Sequence, residues 1–271
     1  MKLCVIGNSH AGMIVHAARA GAADGFDLTY MARQGRGPEG IRLRGNTLRA
    51  MRPETRRALA RLNMPDRVKI DDFDAFVVVA MTATVFSVAP LLGEHSVFTW
   101  PSMRRVIADS PDNETALLER PFLSEPALIA ALVHAMEDNI AHSVVQKIRR
   151  VSDVPILMIA QPHPSETVMQ AKSRQSGIKS LVRKGDGAEA ARILDAAHAR
   201  CFGAFKDVTR LAQPPETIVQ GCLTAAEFTR GAGRLSVDGT QPEDDILHAN
   251  AAYGAKVFEQ IRATLQAGKS E

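Results

Sequence analysis

Continuous apolar runs alternate with longer amphipathic segments along the chain. A run of about four to eight β-branched or otherwise apolar residues is typical of a buried strand. The sequence predicts such strands at residues 3–6, 27–31, 74–81 and 155–160. Because strands of this kind are apolar on both faces, they indicate an α/β protein with a mainly parallel sheet that helices cover on each side.

The amphipathic segments predict helices at residues 8–23, 53–62, 124–150, 187–202 and 249–267. Proline at a first-turn position favours the second of these, and Ser124 is a typical N-cap for the third. The Gly-rich, polar stretch 231–242 is expected to be a surface loop. Since no internal repeat is visible, we expect a single domain of residues 1–271 with a helical insertion at about residues 85–150.

Composition narrows the class of protein. Of the 271 residues, 45% are hydrophobic and 23% are charged, and the formal net charge is +3. These values are typical of a globular protein and give no reason to expect a nucleic-acid partner. Aromatic residues make up only 5% of the chain, so a base-stacking platform is not expected either.

The sequence predicts a cytoplasmic protein without cofactors. The N-terminal apolar run is too short for a signal peptide, and no stretch has the ~18 apolar residues of a membrane helix. Three widely spaced cysteines, Cys4, Cys201 and Cys222, suggest neither a disulfide framework nor a metal site. We therefore expect no membrane association, metal or cofactor, and the sequence indicates no particular oligomeric state.

The loop after the first predicted strand has the composition of a functional site. Residues 7–12 read Gly-Asn-Ser-His-Ala-Gly, and open α/β sheets bind ligands at the carboxyl ends of their strands. One interpretation is a dinucleotide fingerprint, G-x-G-x-x-G, in which Ser9 replaces the middle glycine. That glycine normally lets the backbone approach the pyrophosphate. Residues 30–33 also lack the acidic residue that binds the ribose, although Arg33 suits a phosphorylated cofactor.

A second interpretation makes Ser9 a nucleophile. A serine on a glycine-flanked turn after a strand presents its hydroxyl at the sheet edge, and the next helix N-terminus supplies N–H groups for an oxyanion. His248 is a candidate base, because it lies before the last predicted helix and three residues after Asp245. That spacing lets the carboxylate hold the imidazole and stabilise its protonated form. The acidic run 243–245 also suits a helix N-terminus without any catalytic role.

Together, the two ends of the sequence resemble the SGNH (GDSL-type) hydrolase superfamily. Gly-Asn-Ser-His stands where that family has a Gly-Asp-Ser block with the nucleophile, and Asp-x-x-His stands where it has the base and its acid. The resemblance implies a flavodoxin-like three-layer α/β/α sandwich and ester hydrolysis or acyl transfer. It also implies that Ser9 is the nucleophile, His248 the base and Asp245 its partner.

The middle of the chain departs from the family pattern. A Gly-x-Asn-Asp block, whose Asn completes the oxyanion hole, should follow the third strand, but residues 80–84 read Ala-Met-Thr-Ala-Thr. We expect Thr82 or Thr84 to donate a hydroxyl hydrogen bond in its place. The glycine of the other central block has three candidates, which are Gly35, Gly37 and Gly45.

Four further residues are expected at the same edge of the sheet, where they would contact the oxyanion or the substrate. Asn8 and His10 flank Ser9 in the loop, and Gln161 and His163 follow the buried strand at residues 155–160. The alternatives are a helix N-terminal histidine without a catalytic part for His10, and a plain surface loop for the other pair.

A basic segment lies between Arg33 and Arg61. It holds nine arginines and no lysine, against two acidic residues, Glu39 and Glu54. Arginine suits bidentate recognition of carboxylate, sulfate or phosphate groups. We hypothesise that this segment binds an anionic group of the substrate. The alternative is a solvated charged face.

The sequence therefore predicts a serine esterase or acyl hydrolase that acts through a Ser9–His248–Asp245 triad. Its expected substrate is a small-molecule or glycan ester, such as an acylated carbohydrate that is polar or anionic. Two other classes stay open at this point. One is a Rossmann-type dinucleotide-binding oxidoreductase with a degenerate glycine fingerprint, and the other is a non-catalytic binding protein on a hydrolase scaffold.

Overall fold

A five-stranded parallel sheet forms the centre of the computed structural model, which describes residues 1–109, 120–171, 175–236 and 239–268. Its strands are β1 (Lys2–Gly7), β2 (Asp27–Ala32), β6 (Ala75–Val79), β7 (Ile156–Ile159) and β8 (Val208–Leu211). They lie in the order β2-β1-β6-β7-β8, which is the 2-1-3-4-5 order of flavodoxin-like folds. The predicted three-layer α/β/α sandwich with a mainly parallel sheet is therefore confirmed.

Helices flank this sheet, and two small antiparallel sheets accompany it. The helices are α1 (Gly12–Arg19), α2 (Pro53–Arg61), α3 (Val85–Glu94), α4 (Pro101–Asp109), α5 (Glu125–Glu137), α6 (Ile140–Arg149), α7 (Ser176–Arg183), α8 (Gly187–Phe202) and α9 (Ala251–Ala267). One small sheet consists of β3 (Ile41–Arg44), β4 (Thr47–Ala50) and β5 (Arg67–Lys69), and the other of β9 (Ile218–Val219) and β10 (Leu223–Thr224).

Alternate side chains of the central strands enter two separate apolar clusters. On one face, Leu3, Val5 and Val77 pack against α1 and α9. On the other face, Ile6 and Phe76 join residues of α3, α5, α6, α7 and α8, together with the apolar side of the β3–β5 sheet. Burial on both faces explains why the central strands are apolar at successive positions instead of alternating with polar residues.

Several predicted elements need correction. The single helix expected at residues 124–150 is wrong, because the chain forms α5 and α6 with a break at Asp138 and Asn139. Strand β8 and the β3–β5 sheet were not predicted. Between β6 and β7 the described chain is mainly helical, and residues 110–119 of the stretch 85–150 lie outside the described residues. The loop expected at 231–242 contains an isolated bridge between Gly233 and Thr240, and two of its residues, 237 and 238, are not described.

Candidate active site

The loop that carries Ser9 is fixed by the residue before it. Strand β1 ends at Gly7, and Asn8 then caps a short 3-10 helix, Ser9–Ala11. The Asn8 side-chain oxygen accepts a hydrogen bond from the His10 N–H at 3.1 Å, and its carbonyl accepts one from the Ala11 N–H at 3.0 Å. An Asn at this position is therefore an N-cap, which explains its type without a direct role in chemistry.

Ser9 consequently lies at the carboxyl end of β1, where the strand order reverses between β1 and β6. Open α/β sheets of this order bind their ligands at that point. The register pairs Gly7 of β1 with Val79 of β6 and with Ala32 of β2. The loops after these three strands therefore begin side by side at one edge of the sheet.

The segment before α9 holds the second part of the site. The Asp245 carboxylate accepts hydrogen bonds from the backbone N–H of His248 at 2.9 Å and from its ring Nδ1 at 3.1 Å. Asn250 caps α9 through the N–H groups of Ala252 and Tyr253, and its amide donates to the carbonyls of Glu227 and Arg230. These bonds fix the backbone on both sides of the imidazole.

The two ends of the chain meet at a hydrogen bond. Nε2 of His248 lies 3.0 Å from Oγ of Ser9, although the two residues are 239 positions apart. Helices α1 and α9 pack closely because α9 has glycine at their crossing: a Cβ on Gly254 would lie 2.2 Å from the carbonyl oxygen of Met13. Gly254 was not identified from the sequence as a determinant of the site, and its spacing after His248 gives no signal of that contact.

The charge on Asp245 determines which ring nitrogen of His248 carries the proton. Burial alone would raise the pKa of Asp245, but hydrogen bonds from the His248 ring and backbone lower it overall. The carboxylate is therefore ionised at neutral pH and can only accept, so that Nδ1 of His248 is the donor. Nε2 of the neutral ring is then left to accept the hydroxyl proton of Ser9.

His10 stacks on the ring of His248. The ring centroids are 4.7 Å apart and the planes are inclined by 23°. The pKa of His10 is lowered to about 3, mainly by burial and then by the positive charge that His248 carries when protonated, against the opposing effect of Asp245. His10 is therefore neutral at ordinary pH, and it forms an aromatic wall beside the imidazole.

The carboxyl end of β6 contains two adjacent residues in the left-handed backbone region. Ala80 has φ 57° and Met81 has φ 61°, and each such residue without glycine costs about 1–2 kcal/mol. The strained turn is held by the Met81 carbonyl, which accepts from the N–H of Ala141, and by the Ala80 N–H, which donates to Ile159. Strain of this kind concentrates at functional sites.

Thr82 and Thr84, which follow this turn, differ in their contacts. Oγ1 of Thr84 accepts from the N–H of Phe86 at 3.2 Å as the N-cap of α3, and Ser87 completes the capping box. Oγ1 of Thr82 is buried and has no hydrogen-bond partner among the described residues. Of the two, Thr82 is therefore the one with a free hydroxyl at this edge of the sheet.

Among the three candidate glycines, only Gly37 lies against the site. It is buried with φ +99°, and a Cβ there would meet the Met81 sulfur at 2.5 Å and Cβ of Asn8 at 3.5 Å. Gly35 and Gly45 have no described atom within 4 Å of such a Cβ. The loop after β2 thus brings its backbone against both neighbouring loops, which the sequence alone does not distinguish.

His163 and Gln161 follow β7, as predicted, but His163 belongs to a different polar cluster. Its N–H donates to the Gln213 side chain at 2.8 Å, and its carbonyl accepts from Thr224 at 2.7 Å. Burial and, to a smaller extent, the charge of Arg210 together lower the pKa of His163 to about 4. The described contacts join His163 to these residues and not to Ser9 or His248, whereas Gln161 is half-buried at the end of the strand.

No model of a known protein family and no curated protein matches this chain. Within the residues that the structure describes, no helix combines the length and apolar character that crossing a membrane requires. The same residues contain no group of three or more His, Cys, Asp or Glu side chains arranged to hold a metal ion. Cys4, Cys201 and Cys222 are buried free thiols.

Proposed function

We propose that this chain is a serine ester hydrolase of the SGNH type. The observation that carries the proposal is the continuous hydrogen-bonded series from Ser9 Oγ through both ring nitrogens of His248 to the Asp245 carboxylate, with distances of 3.0 and 3.1 Å. Nucleophile, base and orienting acid in this arrangement are what acyl transfer through a serine requires. The position at the reversal of strand order supports the same conclusion.

In the proposed reaction, Ser9 Oγ attacks the carbonyl carbon of the ester while its proton moves to Nε2 of His248. The tetrahedral intermediate collapses, the ester C–O bond breaks, and the alcohol leaves with the proton from His248. Water then attacks the acyl-serine, gives a proton to His248, and releases the acid as Ser9 regains its hydrogen. Asp245 stabilises the imidazolium that forms twice in this cycle.

We assign three donors to the oxyanion in this proposal. Asn8 occupies the N–H groups of His10 and Ala11, and no bond from the Ser9 N–H occurs within the described part of the chain, so this donor is available. Gly37 is buried against Asn8 and Met81, and its N–H is the second proposed donor. The unpartnered hydroxyl of Thr82 replaces the Asn side chain of the family.

The same contacts favour hydrolysis over dinucleotide binding. A pyrophosphate requires close approach of the backbone where Ser9 stands, and here that side chain is engaged with His248. We propose a small acyl ester on a polar molecule such as a carbohydrate as the substrate class, on the resemblance to the family alone.

Hydrolysis of a short-chain p-nitrophenyl ester tests the proposal. We expect measurable turnover by the natural chain and a loss of at least about 10³-fold in Ser9→Ala, with an unchanged melting temperature. Ser180→Ala, the same substitution on helix α7, is the matched control and should retain full activity. Equal activity in Ser9→Ala and the natural chain, with both folded, would remove the proposal.

A further inference from the structure

The small sheet β3–β5 has two chemically distinct faces. Its apolar side chains are buried against the central sheet, including Ile41, Leu48 and Val68. The alternate positions point to the opposite face, which we call the basic face. Its cationic residues are Arg42, Arg44, Arg49, Arg67 and Lys69.

The strand register places like charges directly opposite one another on the basic face. Arg42 of β3 pairs with Arg49 of β4, and Arg49 pairs in turn with Arg67 of β5. Side chains that are directly opposite on neighbouring strands lie about 5 Å apart at Cβ, and like charges there are destabilising. The three guanidinium groups thus form a row of like charges, and their repulsion lowers the stability of the folded protein.

The charges of this face have little compensation within the chain. Among the described residues, Arg67 has an ion pair with Asp66 at 3.4 Å, and none is found for Arg42, Arg44, Arg49 or Lys69. Other arginines of the same basic segment are used internally. Arg52 pairs with Glu39 at 2.8 Å, and Arg33 donates to Thr55.

Helix α6 adds further positive charge at the β3 edge. Burial lowers the pKa of Lys147, and the positive charges of Arg150 and Arg42 lower it further, which places these three cations in one neighbourhood. The same helix begins beside the site, because the N–H of Ala141 donates to the Met81 carbonyl. Gly37, which contacts Asn8 and Met81, precedes β3 by only a few residues.

We propose that the basic face binds an acidic polysaccharide, whose repeated carboxylate or sulfate groups pair with the row Arg42–Arg49–Arg67. Guanidinium forks bind such groups bidentately, and a linear polyanion matches a row of charges better than one small anion does. Along β3 and β5 the cationic positions are separated by half-buried or buried aliphatic side chains, and none of the three strands contains an aromatic residue.

The composition of the face separates this partner from other polyanions. Single-stranded nucleic acids gain affinity by stacking their bases on aromatic side chains, and amphipathic membrane anchors gain affinity by inserting apolar side chains beside the basic ones. A protein partner needs a desolvated apolar centre in its interface. A hydrated acidic glycan needs only the cations.

Binding is measured on the Ser9→Ala variant, so that the outcome is independent of the proposed hydrolysis. The probes are a sulfated and a uronic-acid oligosaccharide, with a neutral glucan, a thymidine oligonucleotide and phosphatidylserine vesicles for comparison. We expect salt-sensitive binding of at least one acidic oligosaccharide and none of the neutral glucan. Absence of binding to both acidic oligosaccharides, or tighter binding of the oligonucleotide or vesicles, would overturn the proposal.

Two double variants with the same change in net charge locate the surface. Arg42→Glu/Arg49→Glu alters the basic face, whereas Arg56→Glu/Arg57→Glu alters two exposed arginines on α2. We expect the first to weaken binding at least about tenfold more than the second. An equal effect of both would show that only net charge matters. The single variant Arg49→Thr covers the case in which the double variant fails to fold. We expect it to bind more weakly and yet to melt about 1–3 °C higher, and unchanged affinity in this folded variant would contradict the proposal.

Discussion

The cluster around Ser9 and the basic face handle charge in opposite ways. In the cluster, the Asp245 carboxylate and the His248 imidazole are hydrogen-bonded to each other, and the second ring nitrogen of His248 meets the serine hydroxyl at 3.0 Å. On the basic face, Arg49 has an arginine on each side and no acidic partner among the described residues. The cluster lies beside the turn that ends β6. The basic face adjoins α6, which contacts the same turn.

This difference corresponds to the two functions that we propose, a reaction at the cluster and anion binding at the basic face. Internal hydrogen bonds fix side chains in one geometry, which a reaction needs because misplacement of the reacting atoms costs rate. Like charges without acidic partners lower the free energy of unfolding of the free protein. Binding of an external anion raises it again.

The largest expected effect comes from Asp245→Asn. An amide at this position can donate to Nδ1 of His248. The ring proton is then on Nε2, which cannot accept the proton of Ser9, so kcat should fall about 10⁴-fold. Ester turnover checks this expectation. Asp244→Asn, one residue earlier, is the matched control and should retain activity. A loss of less than tenfold in folded Asp245→Asn would mean that the carboxylate does not orient the base.

Thr82→Val removes a hydroxyl without changing the shape of the side chain. If that hydroxyl binds the oxyanion, kcat should fall about 10²–10³-fold with little change in KM. Because Oγ1 has no partner among the described residues, the melting temperature should not fall. Thr84→Val gives the contrast, since it removes a helix cap and should cost about 1 kcal/mol of stability. An activity loss in Thr84→Val but not in Thr82→Val would show that Thr84, and not Thr82, makes the oxyanion contact.

Interior histidines provide a third case, in which burial is the main influence on charge. Burial and, to a smaller extent, the charge of Arg210 lower the pKa of His198 from 6.5 to about 3. The unfolded chain therefore binds a proton that the folded chain does not, and stability falls as the pH decreases from about 6.5 towards 3. One such group contributes up to about 1.4 kcal/mol per pH unit.

His198→Leu should reduce this loss. The slope of unfolding free energy against pH, measured by urea denaturation between pH 6.5 and 4.5, should be smaller in the variant by up to about 1.4 kcal/mol per pH unit. His134→Leu, a substitution of an exposed histidine on α5, is the control and should leave the slope unchanged. Identical slopes in all three proteins would show that His198 does not titrate differently on unfolding.

Arg49→Thr has the smallest expected effect. Removal of the central arginine relieves two like-charge contacts, so the free energy of unfolding at low salt should rise by about 0.2–1 kcal/mol. The gain should shrink as salt is added, because exposed charges are screened. A loss of stability on this substitution would mean that Arg49 is internally compensated and that the basic face has no surplus charge.

Much of the sandwich can be predicted from the sequence because a strand that is buried on both faces is a continuous apolar run. Strands β1, β6 and β7 are apolar runs, and the structure places them in the middle of the sheet. Strand β8 lies at the edge of the sheet and contains Thr209 and Arg210. It therefore lacks the apolar run from which a buried strand is predicted. The β3–β5 sheet does carry period-two alternation with Gly45-Asn46 at its turn, but the arginines suggest a solvated segment. The break before α6 lies at Asn139, whose extended backbone interrupts a continuous amphipathic pattern.

The site divides in the same way. Ser9, Asp245 and His248 could be identified because their chemistry and spacing are local, and the structure brings the three together. The place of Gly37 depends on how three loops meet, and the contact of Gly254 with Met13 depends on the crossing of two helices. Neither relation has a signature along the chain. The stacking of His10 on His248 is likewise a tertiary contact.

Active-site labelling with a fluorophosphonate reports whether His248 activates Ser9, because phosphonylation needs a serine that a neighbouring base has activated. Peptide mass spectrometry should find one adduct, on Ser9, and the adduct should be lost in folded His248→Gln. Labelling of another residue, or equal labelling of Ser9 in His248→Gln, would contradict the account.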